Sequence, residues 1–137
     1  MPQPPTAAAG GRSWRPQLIE AEARARAGLP AWVYQVDFPS PTCAGRGAFH
    51  GIDIALMFGT LDAADAGTGT GPAARALSCA MQDRLVAFVA TGDPGWPRNL
   101  SGERATMIFD ATSRIERDPR RWQRELFAPA PYIQPVT

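Results

Sequence analysis

The chain has 137 residues, a length that fits one domain. With 45% hydrophobic and 20% charged residues it has the makeup of a packed protein, not a disordered one. A formal net charge of +1 excludes the strong field that gathers nucleic acid or anionic lipid, and no run approaches the roughly 20 apolar residues that span a membrane.

Every basic residue is arginine, which reads as genomic composition bias. Residues 1–12 (MPQPPTAAAGGR) have almost nothing to bury and are expected to form a disordered tail ahead of a domain over 13–137. They lack the charged and apolar regions of a secretory signal. Ser13 is suited to cap a helix running to about Ala27, with Gly28-Leu29-Pro30 as its stop. Its apolar side is thin, so a surface helix is expected. Trp32-Val33-Tyr34-Gln35-Val36-Asp37-Phe38, aromatic and β-branched between two prolines, is the best strand candidate. A Gly/Pro-containing loop then delivers Phe49-His50-Gly51, and the short apolar run Ile52–Phe58 closes at Gly59.

A Gly/Thr/Asp-rich loop spans about 60–71, and its stretch Gly67–Gly71 is expected to be flexible. Pro72 opens a helix to Thr91, with Leu77, Met81, Leu85 and Phe88 at helical spacing on its apolar face. Gly92-Asp93-Pro94-Gly95 ends it. Thr106–Asp110 and Ser113–Glu116 read as a tight strand pair, and Pro119 opens a last helix to about Phe127. The order is α/β, but parallel strands need neighbours reached through crossovers, and too few strands are found. The sheet is expected to be incomplete on its own. Cys43 and Cys79 match no metal or redox spacing and are expected to be free, partly buried thiols. No cofactor is implied.

His50 is the only histidine. Taken alone, a single loop histidine is more often a surface or turn residue than a catalyst. Its context favours chemistry: it follows a core-strand candidate, and sites in open α/β sheets gather outside the carboxyl ends of the strands.

Gly47-Ala48-Phe49-His50-Gly51-Ile52-Asp53-Ile54-Ala55-Leu56-Met57-Phe58-Gly59 resembles the histidine motif of type-B carboxylesterases, the family that includes the cholinesterases. That motif reads His, a small residue, any residue, Asp or Glu, an aliphatic residue, then a short run ending in Phe-Gly. Ala55 and Leu56 stand where the family often has Pro and an aromatic. The preceding strand, the long helix with its Thr91-Gly92-Asp93-Pro94 ending, and the terminal strand pair with Asp118-Pro119 are similar to the family in order and spacing. The resemblance covers about residues 13–137.

The resemblance implies the C-terminal part of an α/β-hydrolase sheet with flanking helices. It implies His50 as general base and acid of a Ser-His-Glu/Asp triad acting on a carboxylic ester. Members run Ser, acid, His along the chain, so both partners of His50 are expected N-terminal to it, outside any context present here. No Gly-x-Ser-x-Gly elbow occurs: Gly67-Thr68-Gly69-Thr70-Gly71 imitates the spacing, but Gly69 has no hydroxyl. The glycine-rich oxyanion loop is also missing. Asp53, three residues after His50, is expected to be structural, hydrogen bonding to loop backbone, since the family's triad acid lies far upstream. Asp83 and Asp93 read as a helix-face residue and a turn former. Trp32, Trp96 and Trp122 read as packing residues, and Met57 and Phe58 as core more than pocket.

The chain alone is therefore expected to be inactive. Its expected partners are an ester substrate in the intact enzyme and an N-terminal part of the same hydrolase. A non-catalytic module completing such a part, or a truncated gene product, are the alternatives.

Overall fold

The computed structural model describes residues 14–43, 45–63 and 66–132. The expected tail and the Ser13 cap lie outside them. In chain order the elements are α1 (Trp14–Arg26), β1 (Val33–Val36), α2 (Ile52–Phe58), α3 (Pro72–Thr91), β2 (Ala105–Phe109), β3 (Arg114–Arg117) and α4 (Arg121–Phe127). Among the described residues the strands form one sheet in the order β1-β2-β3, with β1 parallel and β3 antiparallel to β2.

Local chemistry sets most of the boundaries. Gly28, at φ 71°, ends α1, and the amide of Leu29 reaches back to the Arg24 carbonyl at 2.9 Å. Pro72 lies in the first turn of α3, and left-handed Gly92 closes it by donating its amide to the Phe88 carbonyl at 2.8 Å. The apolar run before Gly59 is a helix of 7 residues, bracketed by left-handed Gly51 and Gly59.

β1 is shorter than the expected 32–38. Trp32 turns its indole N–H to the Trp96 carbonyl at 3.0 Å, outside the ladder. At the other end Asp37 still donates to the Phe109 carbonyl at 2.8 Å, Phe38 leaves the sheet for the core, and Pro39 has no N–H to continue.

The register puts Tyr34, Val36, Met107 and Phe109 on one face of the sheet. That face meets α2 and α3, and the core lies there: Phe38, Ile52, Leu56, Leu61, Leu77 and Met81 pack on Met107 and Phe109. α2 is tied to α3 by a buried hydrogen bond, Ser78 Oγ to the Leu56 carbonyl at 2.7 Å. On the opposite face Gln35 accepts from Arg120, just before α4, at 2.6 Å, and Trp14 of α1 packs edge-on against Phe127 of α4. The result is a small partial α/β domain with helices on both faces.

Two expectations about packing change. The apolar stripe of α3 is buried at Leu77 and Met81, but Phe88 emerges at 44% exposure and rests edge-on against Trp32. Trp32 and Trp96 pack as expected, the latter against Phe109, whereas Trp122 is 57% exposed because α4 directs that side outward.

Truncating a fully enclosed side chain leaves a cavity whose walls relax only partly. Met81→Ala, at 0% exposure, is expected to lower the unfolding free energy by about 2–5 kcal/mol in urea titration. Val89→Ala, on the same helix at 78% exposure, should stay within about 0.5 kcal/mol of the parent.

Candidate functional site

The loop that carries His50 leaves the carboxyl end of β1 and is fastened at Ser40. The buried Ser40 hydroxyl donates to the Gly67 carbonyl at 2.5 Å and accepts the Cys43 amide at 2.9 Å. Its own amide donates to the Gly47 carbonyl at 3.0 Å, folding the loop back on itself.

The segment around Gly67, read from its composition as a flexible loop, is packed against its neighbours. Thr68 is wholly buried, and two glycines there serve close approach. A Cβ on Gly67 would lie 2.5 Å from Cζ of Phe49, and one on Gly69 would lie 2.7 Å from Cγ of Pro41. Phe49 thus packs closely against bare backbone, one residue before the histidine. That close approach is tertiary, so glycine and threonine content alone could not disclose it.

His50 itself is exposed, in the turn that leads into α2. Gly51 takes φ 90° directly after it, and the amides of Ile52 and Ile54 bond back to the carbonyls of Phe49 and Gly51 at 3.2 and 3.1 Å. Ile52 and Leu56 anchor the inner side of α2 in the core. Ile54 and Phe58, one turn apart, stand 61% and 67% exposed on its outer side. Met57 packs against the core as expected; Phe58 does not.

Asp53 is engaged by a side chain that sequence reasoning missed. Tyr34 Oη on β1 donates to Asp53 Oδ2 at 3.0 Å. The expected structural role thus has a phenol as partner, not loop backbone. The Tyr34 hydroxyl is pushed up from its ordinary 10.0 to about 12, by burial first, then by the charge and the hydrogen bond of Asp53. Because β1 and α2 are separated by the whole loop, only the folded chain brings the pair together.

Several serines already have local work. Ser40 clamps the loop, Ser78 joins α2 to α3, and Ser113 donates to the Asp110 carbonyl at 3.4 Å. Among the described residues no group of three or more His, Cys, Asp or Glu side chains is placed to hold a metal. Cys43 is half-buried as expected, but Cys79 is exposed on α3. Asp93 is the turn former its position predicts, accepting the Gly95 amide at 2.7 Å. An arginine-rich groove between β3 and α4 is internally neutralised: Arg104 pairs with Glu22, Arg117 with Glu103, Arg124 with Asp118 and Arg121 with Glu125.

No protein-family model matches the chain. The para-nitrobenzyl esterase of Bacillus subtilis (strain 168) is 29% identical to it over 124 residues, which is 85% of this chain and 25% of that esterase. A solved para-nitrobenzyl esterase superposes with a TM-score of 0.72 at 28% identity, over 82% of this chain and 24% of its own. A Geobacillus stearothermophilus carboxylesterase gives 0.67 at 26% identity, over 79% and 24%. An esterase from anaerobic Clostridium hathewayi, one that can hydrolyse aliphatic aromatic polyesters, gives 0.75 at 26%, over 86% and 25%. The chain spans about a quarter of the length of the relatives it matches. The likeness is to carboxylesterases of the α/β-hydrolase fold, and it is consistent with a C-terminal fragment of one.

Gly67→Ala places a methyl against Phe49 at a backbone angle that disfavours side chains, and should cost about 1–3 kcal/mol of stability by thermal or urea unfolding. In a Tyr132→Phe background, tyrosinate absorbance should report Tyr34 ionising near 12. Asp53→Asn should lower that midpoint while leaving it above 10.0, because burial persists. The folded chain holds this proton more tightly than the unfolded chain. The associated stabilisation is therefore complete below pH 10 and lost as pH climbs toward 12.

Proposed function

From a chain that resembles the C-terminal part of a carboxylesterase, we propose that His50 is the triad histidine of a serine ester hydrolase. The supporting observation is its presentation. His50 is exposed in the turn into α2, on the loop that leaves the carboxyl end of β1 and is clamped by Ser40 and by the close approach of Phe49 to Gly67. In this reading the serine, the triad acid and the oxyanion donors come from an N-terminal part of the same hydrolase. His50 takes the proton of the serine hydroxyl as its oxygen attacks the ester carbonyl. It then returns that proton to the leaving alcohol, giving the acyl-enzyme, and repeats the cycle with water. Without those partners the imidazole has no nucleophile to activate and no tetrahedral oxyanion to stabilise, so the chain alone does not turn over ester.

A second reading, in which the chain completes a separate N-terminal part without contributing to chemistry, draws on the sheet edge. Among the described residues β1 lies at one end of the strand order, an edge to which a further strand can pair.

The two readings part on one substitution. The complex of this chain with the N-terminal part is expected to hydrolyse a simple aryl ester, and the chain alone should give no more than the background of free imidazole. His50→Ala should cut kcat/KM of the complex by at least about a thousandfold. A His50→Ala complex that assembles and retains full activity would leave only the second reading standing.

A further inference from the structure

We infer that the Tyr34–Asp53 hydrogen bond is a positioning device that sets His50 relative to the sheet, an inference that rests on reading His50 as the triad histidine. Near its C-terminal end α2 is held by the Ser78–Leu56 hydrogen bond, but its first turn, next to His50, has little means of orienting itself. The helix is 7 residues long, and Gly51 at its N-cap supplies no side-chain hydrogen bond to the first turn. The loop before it turns through left-handed Gly45, Gly47 and Gly51, each a point where the backbone gives easily. Ile52 and Leu56 hold the helix down through apolar contact, which resists lifting more than sliding or rotation.

A directional restraint on the first turn comes from the other side. Tyr34 stands on β1 in the parallel ladder, opposite Met107, and its ring sits edge-on to Phe109 with centroids 5.8 Å apart. From that fixed base its hydroxyl reaches Asp53, in the first turn of α2 and three residues beyond His50. The path from β2 through Tyr34 and Asp53 to the histidine is thus continuous, and every step in it except the last is a contact between side chains. Asp53 touches neither substrate nor reacting atoms in this scheme; it acts through the backbone turn of residues 50–53.

The test uses the full chain and four variants: Tyr34→Phe, which keeps the ring on Phe109, Asp53→Ala, Asp53→Asn, and the Tyr34→Phe/Asp53→Ala double variant. His50 is the only histidine, so its ring gives one set of NMR signals. Tyr34→Phe and Asp53→Ala are each expected to speed amide exchange at Ile52 and Ile54 by about tenfold and to increase ring motion at His50. Because both remove the same bond, the double variant should be no faster than either single one. Asp53→Asn, which still offers an oxygen to the phenol, should stay near the parent. Exchange at Ile108 in β2 should be unchanged in all four, which separates a lost tether from general unfolding. Parent-like behaviour in both single variants, additive effects in the double, or Asn no better than Ala would each overturn the inference. None of these readouts needs esterase activity. A complex that stays active without His50 would defeat the catalytic reading while leaving the tether measurement intact.

Discussion

The parallel ladder between β1 and β2 decides where the histidine can be. β2 is buried along its whole length, and β1 pairs with it from Val33 opposite Thr106 to Val36 opposite Phe109. Parallel partners cannot be joined by a tight turn, so the intervening chain must cross over the sheet, and here that crossover contains the clamped loop, α2 and α3. Both strands run out at the same end of the sheet. The loop that leaves β1 emerges at that end, the place where open α/β sheets gather their chemistry. Closing so long a connection costs conformational entropy that grows only slowly with length, and the core of Phe109, Met107, Leu56 and Met81 offsets it.

On that base, glycine does two different jobs around the histidine. At Gly51 and Gly59 it permits the left-handed turns that start and stop a very short helix. At Gly67 and Gly69 it removes side chains so that Phe49 and Pro41 can lie against backbone. Ser40 joins the two loops through its hydroxyl. The inner side of α2 is thereby committed to the core, while His50, Ile54 and Phe58 are left outward.

How much of this was legible in the sequence depended on how local its causes were. α3 could be placed from Pro72 to Thr91 because its signals, a proline in the first turn and a glycine at the end, are local. The aromatic and β-branched run overstates β1 because its ends are decided by tertiary contacts: Trp32 turns to the Trp96 carbonyl and Phe38 enters the core. The run from Ile52 to Phe58 could not be typed because 7 apolar-rich residues show no decisive period. The packed state of Thr68 and the pairing of Tyr34 with Asp53 were invisible for one reason: both are contacts between segments distant in sequence. His50 stood out only through its neighbours, since a lone loop histidine carries no signal of its own, and the likeness to carboxylesterases rests on the order of several segments together.

We propose an imidazole left exposed on the loop that follows β1, free to meet a hydroxyl brought by another part of the hydrolase. Carbethoxylation of His50, followed by mass spectrometry, tests this most directly. In the folded chain the ring should react about as fast as in the urea-unfolded chain, and the N-terminal part should then protect it. A ring that resists modification in the folded chain alone, and reacts only on unfolding, would contradict the account.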